Sequence, residues 1–267
     1  LDALRSAQDT LRDPRVLDFE PAQVTALTLA APDRPELDLQ RLESPQGGET
    51  WQVIVRPGGG QSPQTLPADP GIVRDFLARL QFLAATRFLS DAPSAADLEG
   101  FGFNRPERII TLNLSTGGGL RGDEPATQTL QIGARPGERD AAYARLANAP
   151  FVYQIQPDLL VDVPISALHF RQRLLRVLPE GTRITELKLT DLRTDVALFT
   201  KTAPADGALT SAEIARDEPE ARGTALATLV KNLRELTAKN FVSDTFSPDE
   251  AGANGTATPW RYRLDLA

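Results

Sequence analysis

This chain writes one stretch twice. Residues 73–114, VRDFLARLQFLAATRFLSDAPSAADLEGFGFNRPERIITLNL, return as residues 226–267 at a constant offset of 153. Leu80 falls on Leu233, Leu83 on Leu236, Phe88 on Phe241, Ser90 on Ser243, Asp91 on Asp244, Gly102 on Gly255 and Pro106 on Pro259. An ungapped match of that length repeats a fold unit, not a catalytic motif. An upstream strand belongs to it, because residues 184–190 restart the pattern of residues 24–30, with Val24 on Ile184 and Leu27 on Leu187 at a spacing of 160. The expectation is an α+β protein of two tandem repeats, each a mainly antiparallel sheet covered by an amphipathic helix.

The repeated stretch explains its own shape. Asp69 is placed to cap free backbone N–H groups, and Pro70 sits where a missing N–H costs nothing. Val73, Phe76, Leu77, Leu80 and Leu83 then recur at helical spacing, and Leu226, Leu229, Val230, Leu233 and Leu236 draw the same stripe in the second copy. A short apolar run follows each helix, at 87–91 and at 240–244, and is long enough for one strand. Gly102 and Gly255 each stand four residues before Pro106 and Pro259. The glycine admits positive φ, and the residue before proline is pushed to extended geometry, so a turn feeds a strand. This Gly-x-x-x-Pro reads as a backbone device, since no charged or nucleophilic residue recurs within it.

Three segments follow in order: an N-terminal helical arm or stalk at 1–15, a first α+β repeat at 16–180, and a second, shorter one at 181–267. Residues 24–30, 37–42 and 50–55 alternate as strands of a meander, with Trp51 a core aromatic. Residues 57–70 read as an unpacked loop. Strands at 108–114 and 127–132 are followed by a hairpin of 142–146 and 151–155, whose Tyr143, Phe151 and Tyr153 lie on sheet faces. From Pro157 the chain reads as helical through Arg176, with His169, Arg173 and Arg176 on one solvated face. Residues 197–201 are the expected counterpart of the Trp51 strand, and 203–223 a polar connector. The second copy has no equivalent of the hairpins at 127–155, which leaves a sheet that something else must complete.

Most catalytic chemistries lack their residues. The absence of cysteine removes disulfides, thiolate catalysis and cysteine-ligated metals, and His169 is the only histidine. Gly-x-Ser-x-Gly and Ser-x-x-Lys are both missing, which leaves carboxylate schemes built from pairs such as Asp123-Glu124, Asp217-Glu218 and Asp249-Glu250 in polar loops. Neither glycine triplet, 58–60 or 117–119, carries the Lys-Ser/Thr of a phosphate loop, and Arg121-Gly122-Asp123 is a three-residue match in a hairpin loop. A net charge of -7 with pI near 4.9 disfavours nucleic acid or anionic lipid as partner. No catalytic residue, metal ligand or cofactor is expected. With no methionine and Leu1 at its start, the chain reads as a processed form or an excised fragment, and any signal peptide or membrane anchor would lie upstream of Leu1.

Several motifs resemble an uncharacterised bacterial family, domain of unknown function 4340. They are Trp51-Gln-Val-Ile-Val-Arg-Pro57, Ala68-Asp69, the Val73 stripe, Phe101-Gly102-Phe103-Asn104-Arg105-Pro106, Leu130-Gln131-Ile132-Gly133, Ala142-Tyr143-Ala144-Arg145-Leu146 and Val152-Tyr153. The turn departs from the family's Tyr-Gly-Leu-Asp-x-x-Pro at Phe101, Phe103 and Asn104 and is one residue shorter before Pro. The resemblance covers about residues 16–177, and the second copy matches more weakly. It implies a membrane-anchored extracytoplasmic protein beside an ABC transporter of the kind linked to gliding motility, with a permease or envelope protein as partner and no assigned catalytic residue. The leading expectation is therefore a non-enzymatic binding or scaffold module. The alternatives are a carboxylate-based hydrolase and a self-assembling structural envelope protein whose unfinished sheet pairs with another copy.

Overall fold

In the computed structural model, which describes residues 11–43, 48–56, 62–115, 126–135, 137–138, 140–157, 163–205, 207–216, 218–241, 249–251 and 257–267, the chain divides into two units, Leu1–Gln172 and Arg173–Ala267. The first is built on nine strands: β1 Val24–Ala30, β2 Glu36–Leu42, β3 Thr50–Arg56, β4 Gln64–Ala68, β5 Arg87–Ser90, β6 Arg108–Leu114, β7 Ala126–Gly133, β8 Ala142–Leu146 and β9 Val152–Ile155. They form one antiparallel sheet in the order β4-β3-β2-β1-β6-β7-β8-β9-β5.

Period-two patterning fixes which residues point inward. Leu27 and Leu29 stand opposite Leu39 and Leu37 on β2 and opposite Leu112 and Ile110 on β6, and all six are buried. Helix α1, Pro70–Gln81, closes this face with Val73, Phe76, Leu77 and Leu80, all members of the same core. Asp69 caps it by accepting from the N–H groups of Gly71 and Ile72 at 3.0 and 3.4 Å. The helix stops at Gln81, so Leu83 is buried from just beyond its end.

Among the described residues, the opposite face is covered at the β8–β9–β5 end. There a short helix α2, Ala95–Gly100, brings Leu98, Phe101 and Phe103 onto Tyr143 and Val152, a separate cluster. Sequence reading passed over α2, although Ser94 and Asp97 form a complete capping box. The segment expected to be an unpacked loop contains β4, paired with β3 from Trp51↔Ala68 to Val55↔Gln64. Pro67 is tolerated there because β4 is an edge strand.

Of the helix expected from Pro157 to Arg176, residues 158–162 lie outside the described residues, and among the rest it is corrected to α3, Ala167–Phe170. The backbone leaves helical geometry at Arg171, which bridges Ala68, and the Gln172 N–H donates to Pro67 O at 2.8 Å. The open edge of β4 thus supplies hydrogen bonds that a continued helix would forgo. His169 stays in α3, while Arg173 and Arg176 do not.

In the second unit, β10 Leu174–Val177 pairs with β13 Glu235–Thr237, and β14 Asp249–Ala251 pairs with β15 Ala257–Pro259. A three-stranded antiparallel sheet has the order β12-β11-β16, from Glu186–Asp191 (β11), Val196–Thr202 (β12) and Tyr262–Leu266 (β16). Helices α4, Ser211–Ala215, and α5, Glu220–Arg234, contribute Ile214, Leu226 and Val230 to a core with Ile184, Leu187 and Leu209. The connector expected at 203–223 is therefore packed, and Thr210 and Glu213 form the capping box that starts α4.

Three expectations for this unit are corrected. Strand 197–201 lies beside β11, the place that β2, not the Trp51 strand, holds beside β1. Leu236 leaves the helical stripe, because α5 ends at Arg234 and Glu235 is extended at φ -133°, ψ 87°. Asn240 and Phe241 lie in no strand; the post-helix strand is β13, and 242–244 fall outside the described residues. Residues 1–10, both glycine triplets and Arg121-Gly122-Asp123 also lie outside them.

Candidate functional site

The motif residues gather at two places in the first unit. At one, the Trp51 ring is 1% exposed, and its Nε1–H donates to Glu49 Oε1 at 2.9 Å. The Arg41 guanidinium lies 5.1 Å from the ring centroid and also reaches Glu49, as does Arg74 at 3.2 Å. Burial pushes the Glu49 carboxyl up. Hydrogen bonds from Trp51 and Arg74 and the charges of Arg41 and Arg74 outweigh it and hold the group below its ordinary value. The carboxylate is thus the hub of a structural clamp joining β2, β3 and α1.

At the other place, α2 ends in a Schellman motif. The Phe103 N–H donates to Leu98 O and the Gly102 N–H to Glu99 O, both at 2.9 Å, and Gly102 takes φ +81°. This turn lies backbone-to-backbone on the end of β7. A Cβ on Gly102 would stand 2.5 Å from Ala134 O, and one on Gly133 would stand 2.3 Å from Phe101 O. Phe101 packs on Tyr143 with centroids 4.8 Å apart, and Arg135 stacks over both rings at 4.6 and 4.8 Å. Burial raises the Tyr143 pKa, and its hydrogen bond to Glu138 at 2.5 Å adds to the effect. Pro106 follows this turn and leads into β6. Gly255 lies outside the described residues, and Pro259 is in β15 opposite Asp249.

Between these places the face of the sheet turned away from α1 carries a polar belt. Gln52 donates to Gln40 at 3.0 Å, Thr28 donates to Asp38 at 2.7 Å, and Arg56 also binds Asp38. Thr111 and Thr129 share a bond of 3.2 Å, and Arg145 donates to Gln131 at 2.6 Å. The belt crosses β3, β2, β1, β6, β7 and β8 in spatial order. It was legible as the polar half of each alternating strand, yet its continuity depends on strand order.

Open clefts accompany these features in both units. One of about 610 Å³ in the first unit is lined by Asp33, Arg34, Arg105, Glu107 and Arg108, with Asp33 and Arg105 paired at 2.6 Å. Another, of about 680 Å³, lies along α5 and includes Thr210, Glu220, Lys231 and Arg234. Among the described residues, no group of three or more His, Cys, Asp or Glu is placed to hold a metal ion. The carboxyls of Asp13, Asp97 and Glu213 lie below their ordinary values, through hydrogen bonds from the Arg15 side chain, the Ser94 side chain and the Thr210 backbone respectively. No helix among them is long and apolar enough to cross a membrane.

The arrangement defines a class: an antiparallel α+β protein whose quoted motifs build a clamp and a backbone turn. Residues 60–259 match the family described as Domain of unknown function (DUF4340), and the chain belongs to that family. The matched span runs through both units, beyond the stretch where the resemblance was read. No curated protein and no solved structure matches the chain.

Proposed function

We propose that this chain is a non-enzymatic extracytoplasmic binding or scaffold module, accessory to an ABC-type transport system and held at the membrane by an upstream anchor. The observation that carries this reading is the polar belt, a broad hydrogen-bonded face on a rigid sheet whose other face is filled by α1. Such a face suits a protein partner, because its side chains are held in place before contact and lose little freedom on binding. The turn at Phe101–Pro106, which lies within the span matched to the family, supports the same reading, since it shapes the scaffold beside the belt. The rival carboxylate hydrolase needs an acid held protonated at neutral pH. The downward-shifted carboxyls of Asp13, Glu49, Asp97 and Glu213 are anions fixed by donors and are unsuited to that role.

The module is a duplication in this account. The order β12-β11-β16 follows β2-β1-β6, and Leu226, Val230 and Leu233 pack inward at the positions of Val73, Leu77 and Leu80. The test is a photoreactive residue placed at Gln52 or Thr129 on the belt, and at exposed Phe82 as control, in the anchored protein in its native cells. The reading expects a permease or other envelope protein cross-linked from the belt and not from Phe82. Equal labelling from all three positions, or hydrolysis by the purified protein that a carboxylate substitution abolishes, would overturn it.

A further inference from the structure

We infer that β16 is a self-complementary edge through which two copies of this chain join their three-stranded sheets into one of six. Backbone direction comes first. Glu186 and Ala267 exchange bonds of 3.2 and 3.3 Å, and the Leu192 N–H donates to Arg261 O at 2.8 Å. With the regular register Lys188↔Asp265 and Thr190↔Arg263, residues 261, 263, 265 and 267 spend their N–H and C=O groups on β11. Those of Tyr262, Leu264 and Leu266 point to the other edge, where no described strand pairs.

The edges of the nine-stranded sheet, of β12 and of the β10–β13 pair carry devices that discourage pairing. On β4, Pro67 and the Arg171 bridge occupy the edge, while β5 is four residues long and irregular at Phe88/Ser90. A bulge shifts the β11–β12 register at Leu189/Thr190, and the β10–β13 pair is irregular at Leu174/Arg176. In β16 the ladder is unbroken and has none of these.

The side chains fit a second copy. An antiparallel pair centred on Leu264 sets Leu264 against its own copy and Tyr262 against Leu266 of the other chain, on the face that carries Leu187. Tyr262 and Leu266 are 48% and 43% exposed, so pairing covers apolar surface now open to water. On the opposite face the same register sets Arg263 against Asp265 of the other copy, twice by symmetry. Both are half exposed, and within one chain they already bond at 3.1 Å. A strand with like charges at these positions would repel itself. This one attracts.

The experiment is sedimentation equilibrium of the intact chain, its R263E and D265R variants, and an equimolar mixture of the two. The wild type is expected at twice 29.0 kDa. Each single change sets like charges across the dyad and weakens the pair on the order of tenfold or more. The mixture restores opposite charges at both crossings and recovers the doubled mass. L266P is a further check, since it removes an outward N–H that the monomer does not use, and it is expected to leave the far-ultraviolet spectrum unchanged while abolishing the pair. A wild-type mass of one chain up to about 1 mM, where even a millimolar Kd shows, overturns the inference. So does a doubled mass indifferent to R263E, or a mixture that stays monomeric.

Discussion

Replacing Gly102 by alanine tests the close backbone approach of the α2 turn to the end of β7. Two costs add at this position. The left-handed φ of +81° opposes any L side chain by about 1–2 kcal/mol. The new methyl would also meet Ala134 O at 2.5 Å and Ala134 N at 3.0 Å, backbone atoms held in place at the end of β7. Relieving that overlap means lifting the turn and loosening Phe101 and Phe103 from Tyr143, an overpacking cost of about 1–3 kcal/mol. G102A should therefore lose about 2–5 kcal/mol. Gly137 supplies the control, because its φ is +84° but nothing lies within 4 Å of its would-be Cβ. G137A should lose only the conformational part, about 1–2 kcal/mol. The assay is urea unfolding in a W260F background, where Trp51 is the sole indole and reports the first unit. Equal losses for G102A and G137A would refute the claim that the turn is pinned to β7.

Other expectations follow the same construction. L77A should cost the first unit about 2–5 kcal/mol, whereas F82A, at a side chain 80% exposed, should stay within about 0.5 kcal/mol of wild type; urea midpoints decide. L187A should lower the transition seen by Trp260 and leave that seen by Trp51 in place, and a joint shift would contradict independent units. D69A removes the cap of α1 and should cost about 1 kcal/mol, read from thermal unfolding. Because the Glu49 pKa is depressed in the folded state, its contribution is present above the ordinary carboxyl range and is lost as pH falls through the folded value. E49Q should accordingly lose less stability than wild type between neutral and acid pH; parallel pH profiles would show that the clamp is not titrating.

The first sheet was readable because strands such as β6 alternate, with Ile110, Leu112 and Leu114 buried, and because short connections force antiparallel neighbours. Helix α1 was readable from Asp69-Pro70 and its stripe. The missed helices α2 and α4 are only six and five residues long, so periodicity has too few turns to register, although both capping boxes were in plain sequence. The segment at 171–177 was misread because a run such as Leu-Leu-Arg-Val suits helix and strand alike. What decided it was an edge offered by β4 and a partner in β13, both distant in sequence. The unfinished second sheet was expected, but the continuity of the polar belt and the place of β16 at the free edge were illegible for the same reason. Individual polar residues were visible, but which strands stand side by side is a tertiary fact.

The binding-module account is tested most directly by capturing the full-length anchored protein from its native cells by cross-linking, with the purified soluble chain as competitor. The account predicts a permease or envelope protein that the wild-type soluble chain displaces, and that a soluble chain with charges introduced at Gln52, Thr111 and Thr129 does not. Displacement by both chains alike, or no partner beyond a second copy, would contradict the assignment of that face.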